Sequence, residues 1–119
     1  MGKFRDLIVW QRAKDLAVYI YKNTTLGEFS KDYGLRDQIR QAAVSIPSNI
    51  AEGDELGTDK QSIRFFHTAK GSSAEALTQA IIAFEIGYLA EENFLHIENE
   101  CESISKMLNK LIKARSSLK

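Results

Sequence analysis

The chain has 119 residues, 44% hydrophobic and 27% charged, with a formal net charge of zero. That length and composition fit one globular domain with a single core, and the neutral balance argues against a chain that coats nucleic acid nonspecifically. A single cysteine, Cys101, excludes an intrachain disulfide, and no stretch approaches the roughly 20 apolar residues of a membrane span.

The start carries no secretory pattern, since its longest early apolar run is Leu7 to Trp10. Met1-Gly2 also lacks the downstream Ser or Thr of a myristoylation signal. A bacterial-type cytoplasmic protein is therefore expected. Asp6 is placed to cap a first helix over about Leu7 to Thr24. Its apolar residues run round a wide arc that includes Trp10, Leu16, Tyr19, Ile20 and Tyr21. A helix apolar on so wide an arc is buried on two sides, which makes Trp10, Tyr19 and Tyr21 candidate contacts in a homo-oligomer. Isolated exposed tyrosines are the plainer explanation.

Thr24 to Gly34 reads as a loop with a single turn at Ser30 to Tyr33. A second helix is expected over about Leu35 to Asp54, with apolar positions at Leu35, Ile39, Ala42, Ala43, Ile46 and Ile50. Inside it stands Pro47, the one proline of the chain. A proline there leaves the carbonyl four residues back, that of Ala43, without its N–H partner. The apolar phase continues across Pro47, which favours one kinked helix. The alternative is a new helix capped by Ser45 with Pro47 in its first turn.

Leu56-Gly57 closes that helix. Thr58 and Gln61 then have capping-box spacing, with the glutamine amide expected to reach back to the cap. The third helix should run to about Leu89, some 30 residues or roughly 45 Å. Its inner face is expected at Ile63, Phe66, Ala69, Lys70, Ser73, Leu77, Ala80, Ile81, Phe84 and Tyr88. The small residues Gly71 to Ala74 should let a neighbour come close, namely the segment Ala42 to Ala51. The fourth helix, about Glu91 to Arg115, carries Phe94, Ile97, Cys101, Ile104, Leu108 and Leu111 at alternating spacings of three and four. Cys101 reads as a small core residue. The acidic start and basic end (Lys106, Lys110, Lys113, Arg115, Lys119) suit the helix dipole and receive no binding role. The expected fold is an all-α, single-domain, antiparallel up-down four-helix bundle with 3-4 packing, its second helix kinked at Pro47.

The stretches Trp10-Gln11-x-Ala13, Tyr33-Gly34-Leu35, Gln38-Ile39-Arg40, Ser45-Ile-Pro-Ser-Asn-Ile-Ala-Glu-Gly53, Ala69-Lys-Gly-Ser72-x-x-Glu75 and Gly87-Tyr-Leu89 span nearly the whole chain. Together they resemble the 23S rRNA intervening-sequence protein family, the bacterial "four helix bundle protein". That family is related to the accessory variability determinant proteins of diversity-generating retroelements. The resemblance implies a four-helix bundle that assembles into a ring-shaped homopentamer. A relative of the retroelement type binds nucleic acid and a reverse transcriptase. This chain departs from the family pattern in having Gln41 after Arg40, Asp54-Glu55-Leu56-Gly57 in place of arginines, and no proline near Phe29-Ser30. The first two departures remove positive charge.

No chemistry of a familiar enzyme is legible. A di-iron bundle needs Glu-x-x-His motifs on two helices, but His67 and His96 follow Arg64 and Asn93 at that spacing. Glu92, His96 and Glu100 share one helix face with a single imidazole, a weak metal set more simply read as a solvated face. No catalytic residue, cofactor or metal is therefore expected. Ser45, Asn49, Glu52, Ser72 and Glu75 form a candidate polar network that fixes helix register, with Glu52 and Glu75 partly buried and the alternative being a binding pocket.

Residues 1–40 carry eight Lys or Arg against five Asp or Glu, and residues 41–102 three against eleven. This asymmetry makes Lys3, Arg5, Arg12, Lys14, Arg36 and Arg40 candidate nucleic-acid contacts on one rim of a ring. The expected function is a non-enzymatic oligomeric protein with weak nucleic-acid binding. The alternative is a ring-shaped scaffold for an unidentified protein partner, with no membrane role.

Overall fold

Apolar periodicity becomes five helices among the described residues of the computed structural model: α1 (Ile8–Asn23), α2 (Gly27–Lys31), α3 (Tyr33–Glu55), α4 (Asp59–Glu85) and α5 (Glu91–Ser116). The described residues are 3–56 and 58–116. Met1, Gly2, Gly57 and residues 117–119 lie outside them, so the expected closure at Gly57 and the basic Lys119 are not placed. The expected all-α bundle is present in the four long helices, and α2 is an addition in the first connection.

Pairs of side chains establish the up-and-down order. Arg40 of α3 reaches Thr24 after α1, Ser45 of α3 meets Ser72 of α4, Ser73 of α4 reaches Cys101 of α5, and Arg12 of α1 meets Glu100 of α5. Other pairs run the opposite way along each partner, such as Gln38 with Gln79 and Tyr19 with His96. Each helix is therefore antiparallel to both neighbours, and the bundle is 48 Å long and 21–23 Å across.

Helix ends follow local chemistry, and several differ from expectation. Asp6 does not cap α1. It sits in a 3-10 turn, Phe4–Asp6, and α1 begins after Leu7 without a side-chain cap. The Gln11 amide instead donates to the Arg5 carbonyl at 2.7 Å, tying the turn to the helix. The expected turn at Ser30 to Tyr33 is replaced by α2, and α3 starts at Tyr33 because Asp32 accepts from the Leu35 N–H at 3.1 Å. α3 then runs unbroken through Pro47.

Thr58 caps α4 by accepting from the Gln61 N–H at 3.2 Å, but its hydroxyl donates to the Gln61 side-chain oxygen, so the glutamine does not reach back to the backbone. α4 stops at Glu85 rather than Leu89. Gly87 adopts φ 91°, its N–H donates to Phe84, and the Tyr88 N–H donates to Ala83. That is a Schellman ending, which favours a glycine at the left-handed position.

The core holds Ala13, Leu16 and Ile20 of α1, Ile39, Ala43, Ile46 and Ile50 of α3, and Ile97, Cys101, Ile104 and Leu108 of α5. The inner face of α4 differs from the expected one. Phe66, Ala69, Ser73 and Ala80 are buried as expected, but Ala76 and Ala83 join them while Ile81 and Ile82 face outward. Alanine and serine let helices approach closely, and a large aliphatic at those positions would hold them apart.

Candidate interaction site

The stretch from Ser45 to Gly53 holds α3 closely against α4. Asn49 donates to the Ser45 carbonyl at 2.8 Å and to its hydroxyl at 2.9 Å, and the Ser45 and Ser72 hydroxyls share a 2.7 Å hydrogen bond. One turn on, the Ser62 hydroxyl donates to the Gly53 carbonyl at 2.6 Å. A Cβ at Gly53 would stand 2.6 Å from the Phe66 ring. Three of the five candidate network residues, Ser45, Asn49 and Ser72, thus come together. Glu52 and Glu75 do not: both are exposed and have no hydrogen-bond or ion-pair partner among the described residues. They lie on the outward sides of α3 and α4, where water satisfies a carboxylate, so the expectation that they are partly buried is corrected. The carboxamide of Gln79, buried on the same seam, meets Gln38 at 3.4 Å and leaves its own oxygen unpaired among the described residues.

The six candidate basic contacts separate into three groups. Arg12 makes a two-pronged pair with Glu100, at 3.2 and 2.7 Å. That bond raises the guanidinium pKa. Arg40 donates to the Thr24 hydroxyl and carbonyl at 2.8 and 3.2 Å with its guanidinium over the Tyr21 ring. Arg36 holds Asp37 and the Ser30 carbonyl and lies over Tyr33. Lys14 pairs with its neighbour Asp15. Lys3 and Arg5 stay exposed, with no ion-pair partner among the described residues. Charge counting could not foresee this, because the Arg40 partner is a threonine sixteen residues away.

Of the three candidate interface aromatics, Trp10 and Tyr19 are half-buried. Trp10 packs edge-on to Phe4 and Tyr19 lies on His96 at 4.4 Å between ring centres. Tyr21 is 43% exposed. It lines an apolar groove between α1 and α3 together with Ala17, Val18, Val44 and Pro47, with Lys14 and Lys22 at its edge. Val18 and Val44 are 45% and 42% exposed. The sequence places Val18 on the wide apolar arc of the first helix, one face with Tyr21 by its i, i+3 spacing, without singling it out, and gives no sign of Val44.

One further side chain joins distant stretches. The Tyr88 hydroxyl donates to Asp32 at 3.0 Å, and its ring packs on Phe29. The hydrogen bond to Asp32 raises the Tyr88 pKa. Burial pushes the Cys101 thiol up to about 11, helped by Glu100 and Glu102 and opposed by Ser73, so it is a weak nucleophile at neutral pH. Among the described residues no group of three or more His, Cys, Asp or Glu could hold a metal ion. Nor is any helix long and apolar enough to cross a membrane.

The stretches that build these seams are matched as a whole by one family model, described as 23S rRNA-intervening sequence protein, over residues 5–110. The chain belongs to that family. Among solved structures, it is similar to a protein of unknown function from the S23 ribosomal protein family of Bacteroides thetaiotaomicron. The two are 24% identical, with a TM-score of 0.81, over 89% of this chain and 99% of the other. That likeness concerns the fold. No curated protein matches the chain. Several residues of the recognisable stretches tie the helices to one another. Gln11 ties the first turn, Arg40 ties α3 to the end of α1, Ser45 and Ser72 join α3 to α4, and Gly87 ends α4.

Proposed function

We propose that this family member is a non-enzymatic assembly subunit. Its copies join into a ring-shaped homo-oligomer, a pentamer by family resemblance, that serves as a cytoplasmic scaffold for a protein partner. The observation that carries this reading is the exposed apolar strip of Val18, Tyr21 and Val44 along the α1/α3 groove. Contiguous apolar surface of this kind marks interaction sites. A second copy offers a complement. Ile82 and Ile86 lie one turn apart on the outside of α4 with Glu85 between them, all exposed, and Lys22 at the groove edge is a cation for that carboxylate. Joining two unlike surfaces gives a head-to-tail contact, which closes into a ring when the rotation permits.

Nucleic-acid binding is the weaker reading. Arg12, Arg36 and Arg40 already have partners within the subunit, and prising them loose for phosphates would give up those hydrogen bonds.

Light scattering and sedimentation test the assembly. The wild type should sediment as several subunits, and Tyr21→Glu with Val44→Glu should sediment near the 13.4 kDa of one chain with unchanged helix content. A wild type of single-chain mass at micromolar concentration would overturn the reading.

A further inference from the structure

The antiparallel pairing of α1 with α5 makes a second apolar surface near the chain's two ends, roughly 15 Å along α1 from the first groove at 1.5 Å per residue. Leu7, Ile8 and Val9 form one wall, and Met107 and Leu111 of α5 form the other, with Lys110 at the side. Ile8 is 65% exposed, so the groove is open to water.

Its α5 side is basic. Lys106, Lys110 and Lys113 are exposed on α5, and Lys3 and Arg5 stand in the turn leading to Leu7, which packs on α1 and α3. None of the five has an ion-pair partner among the described residues. The acidic group of that turn is Asp6, also exposed. Arg115 is otherwise engaged, meeting Asp54 at 3.4 Å and Asp59 at 3.9 Å, and so keeps those two carboxylates from offsetting the lysines. The helix dipole does not account for the arrangement. Its effect is confined to the last turn, whereas Lys106 and Lys110 precede the last turn of a helix ending at Ser116. The basic end of α5, which sequence alone assigns to the dipole, thus borders the groove, with Lys110 in its lining.

We infer that this groove seats an acidic amphipathic helix of a partner protein. The partner's apolar ridge would lie between Ile8 and the pair Met107 and Leu111. Its flanking carboxylates would meet Lys106 and Lys110 along the α5 side. Helix-in-groove docking uses anchors at i, i+3, i+4 and i+7, and the charge of the rim selects the sign of the flanks. A phosphate backbone satisfies the rim but leaves Ile8, Met107 and Leu111 in water. The surface is separate from the α1/α3 groove, so it does not depend on self-assembly.

The test uses fluorescein-labelled peptides of about four helical turns, roughly 14 residues. A set of three carries leucines at the anchor spacing with glutamate flanks, and a matched set has lysine flanks. Anisotropy is read at low salt, with a single-stranded oligonucleotide and phosphatidylglycerol vesicles in parallel arms. The glutamate peptides should bind and the lysine peptides should not. Lys106→Glu with Lys110→Glu should weaken binding about ten-fold or more, the scale of lost rim attraction. Ile8→Ser, at an exposed position, should weaken it comparably at unchanged melting temperature. The assembly-breaking Tyr21→Glu with Val44→Glu should leave it intact. Failure of all three glutamate peptides, equal binding of lysine peptides, insensitivity to Ile8→Ser, or binding by the oligonucleotide or vesicles alone would overturn the inference.

Discussion

The α3/α4 seam and the α1/α5 seam are both antiparallel helix contacts, yet they are built from different materials. The first is made mainly of small groups, serine on serine, Gly53 against Phe66, and a serine hydroxyl on a glycine carbonyl, with the longer pair Gln38 and Gln79 toward one end. The second is made of long polar and aromatic side chains: Arg12 with Glu100, Tyr19 over His96, and Asn23 with Asn93. Small groups bring backbones close and leave nothing to rearrange. Long side chains bridge a wider gap and can move aside. The first seam should therefore set the register of the bundle, and the second should tolerate change.

The largest effect is expected at Gly53. Its missing Cβ would stand 2.6 and 2.9 Å from two Phe66 ring carbons and 3.2 Å from the Phe65 Cβ. Phe66 is fully buried and cannot swing away. Overpacking of this kind costs about 1–3 kcal/mol, more than the ~1 kcal/mol that alanine gains over glycine within a helix. Gly53→Ala should lower stability in urea titrations, and Gly53→Val should lower it further. Gly71 provides the control, since a Cβ there meets nothing within 4 Å. Gly71→Ala should stabilise by about 0.5–1 kcal/mol. Equal signs at the two glycines would refute the contrast.

Much of this arrangement was legible in the sequence, and the losses have physical causes. The apolar phase across Pro47 pointed to one helix, because burial of Ile39, Ile46 and Ile50 on one side demands continuity. The alternating spacing from Phe94 to Leu108 marked the buried stripe of α5. The face of α4 was misjudged because hydrophobicity ranks isoleucine above alanine, whereas a close helix contact selects the smaller residue. Ile81 was thereby drawn toward a core occupied by Ala76, Ala80 and Ala83. The small-residue neighbours Ser45 and Ser72 were foreseeable from composition. The outward aspect of Glu52 and Glu75 was not, because it depends on how the two helices rotate about their axes. Arg36 and Arg40 looked like free charge because their partners include the Ser30 and Thr24 carbonyls, and any residue can offer a carbonyl.

A middle-sized effect is expected within the serine pair. Ser45 and Ser72 are partly and largely buried and share one hydrogen bond, and Asn49 already donates to the Ser45 hydroxyl. Ser72→Ala removes one partner, so stability should fall by about 1 kcal/mol, the net worth of such a bond. Ser45→Ala should cost more, since it also strips a bond from Asn49. The double variant should cost less than the sum, because the shared bond can be lost only once. Strict additivity in denaturant titrations would mean the hydroxyls act independently.

The smallest effect is expected at Arg12 and Glu100, despite the two-pronged geometry that no other ion pair among the described residues has. The two side chains remain 36% and 19% exposed, so water and salt compete for both. Half-exposed pairs contribute about 0.2–1 kcal/mol in double-mutant cycles, and the two-pronged contact favours the upper part of that range. An Arg12→Ala, Glu100→Ala cycle should give a coupling of that size that shrinks as salt is raised, because screening acts on solvent-accessible charges. The Ser45–Ser72 coupling, between neutral hydroxyls, should not change with salt. A salt-insensitive Arg12–Glu100 coupling larger than that of the serines would reverse the comparison, making the charged seam the one that fixes the register of the bundle.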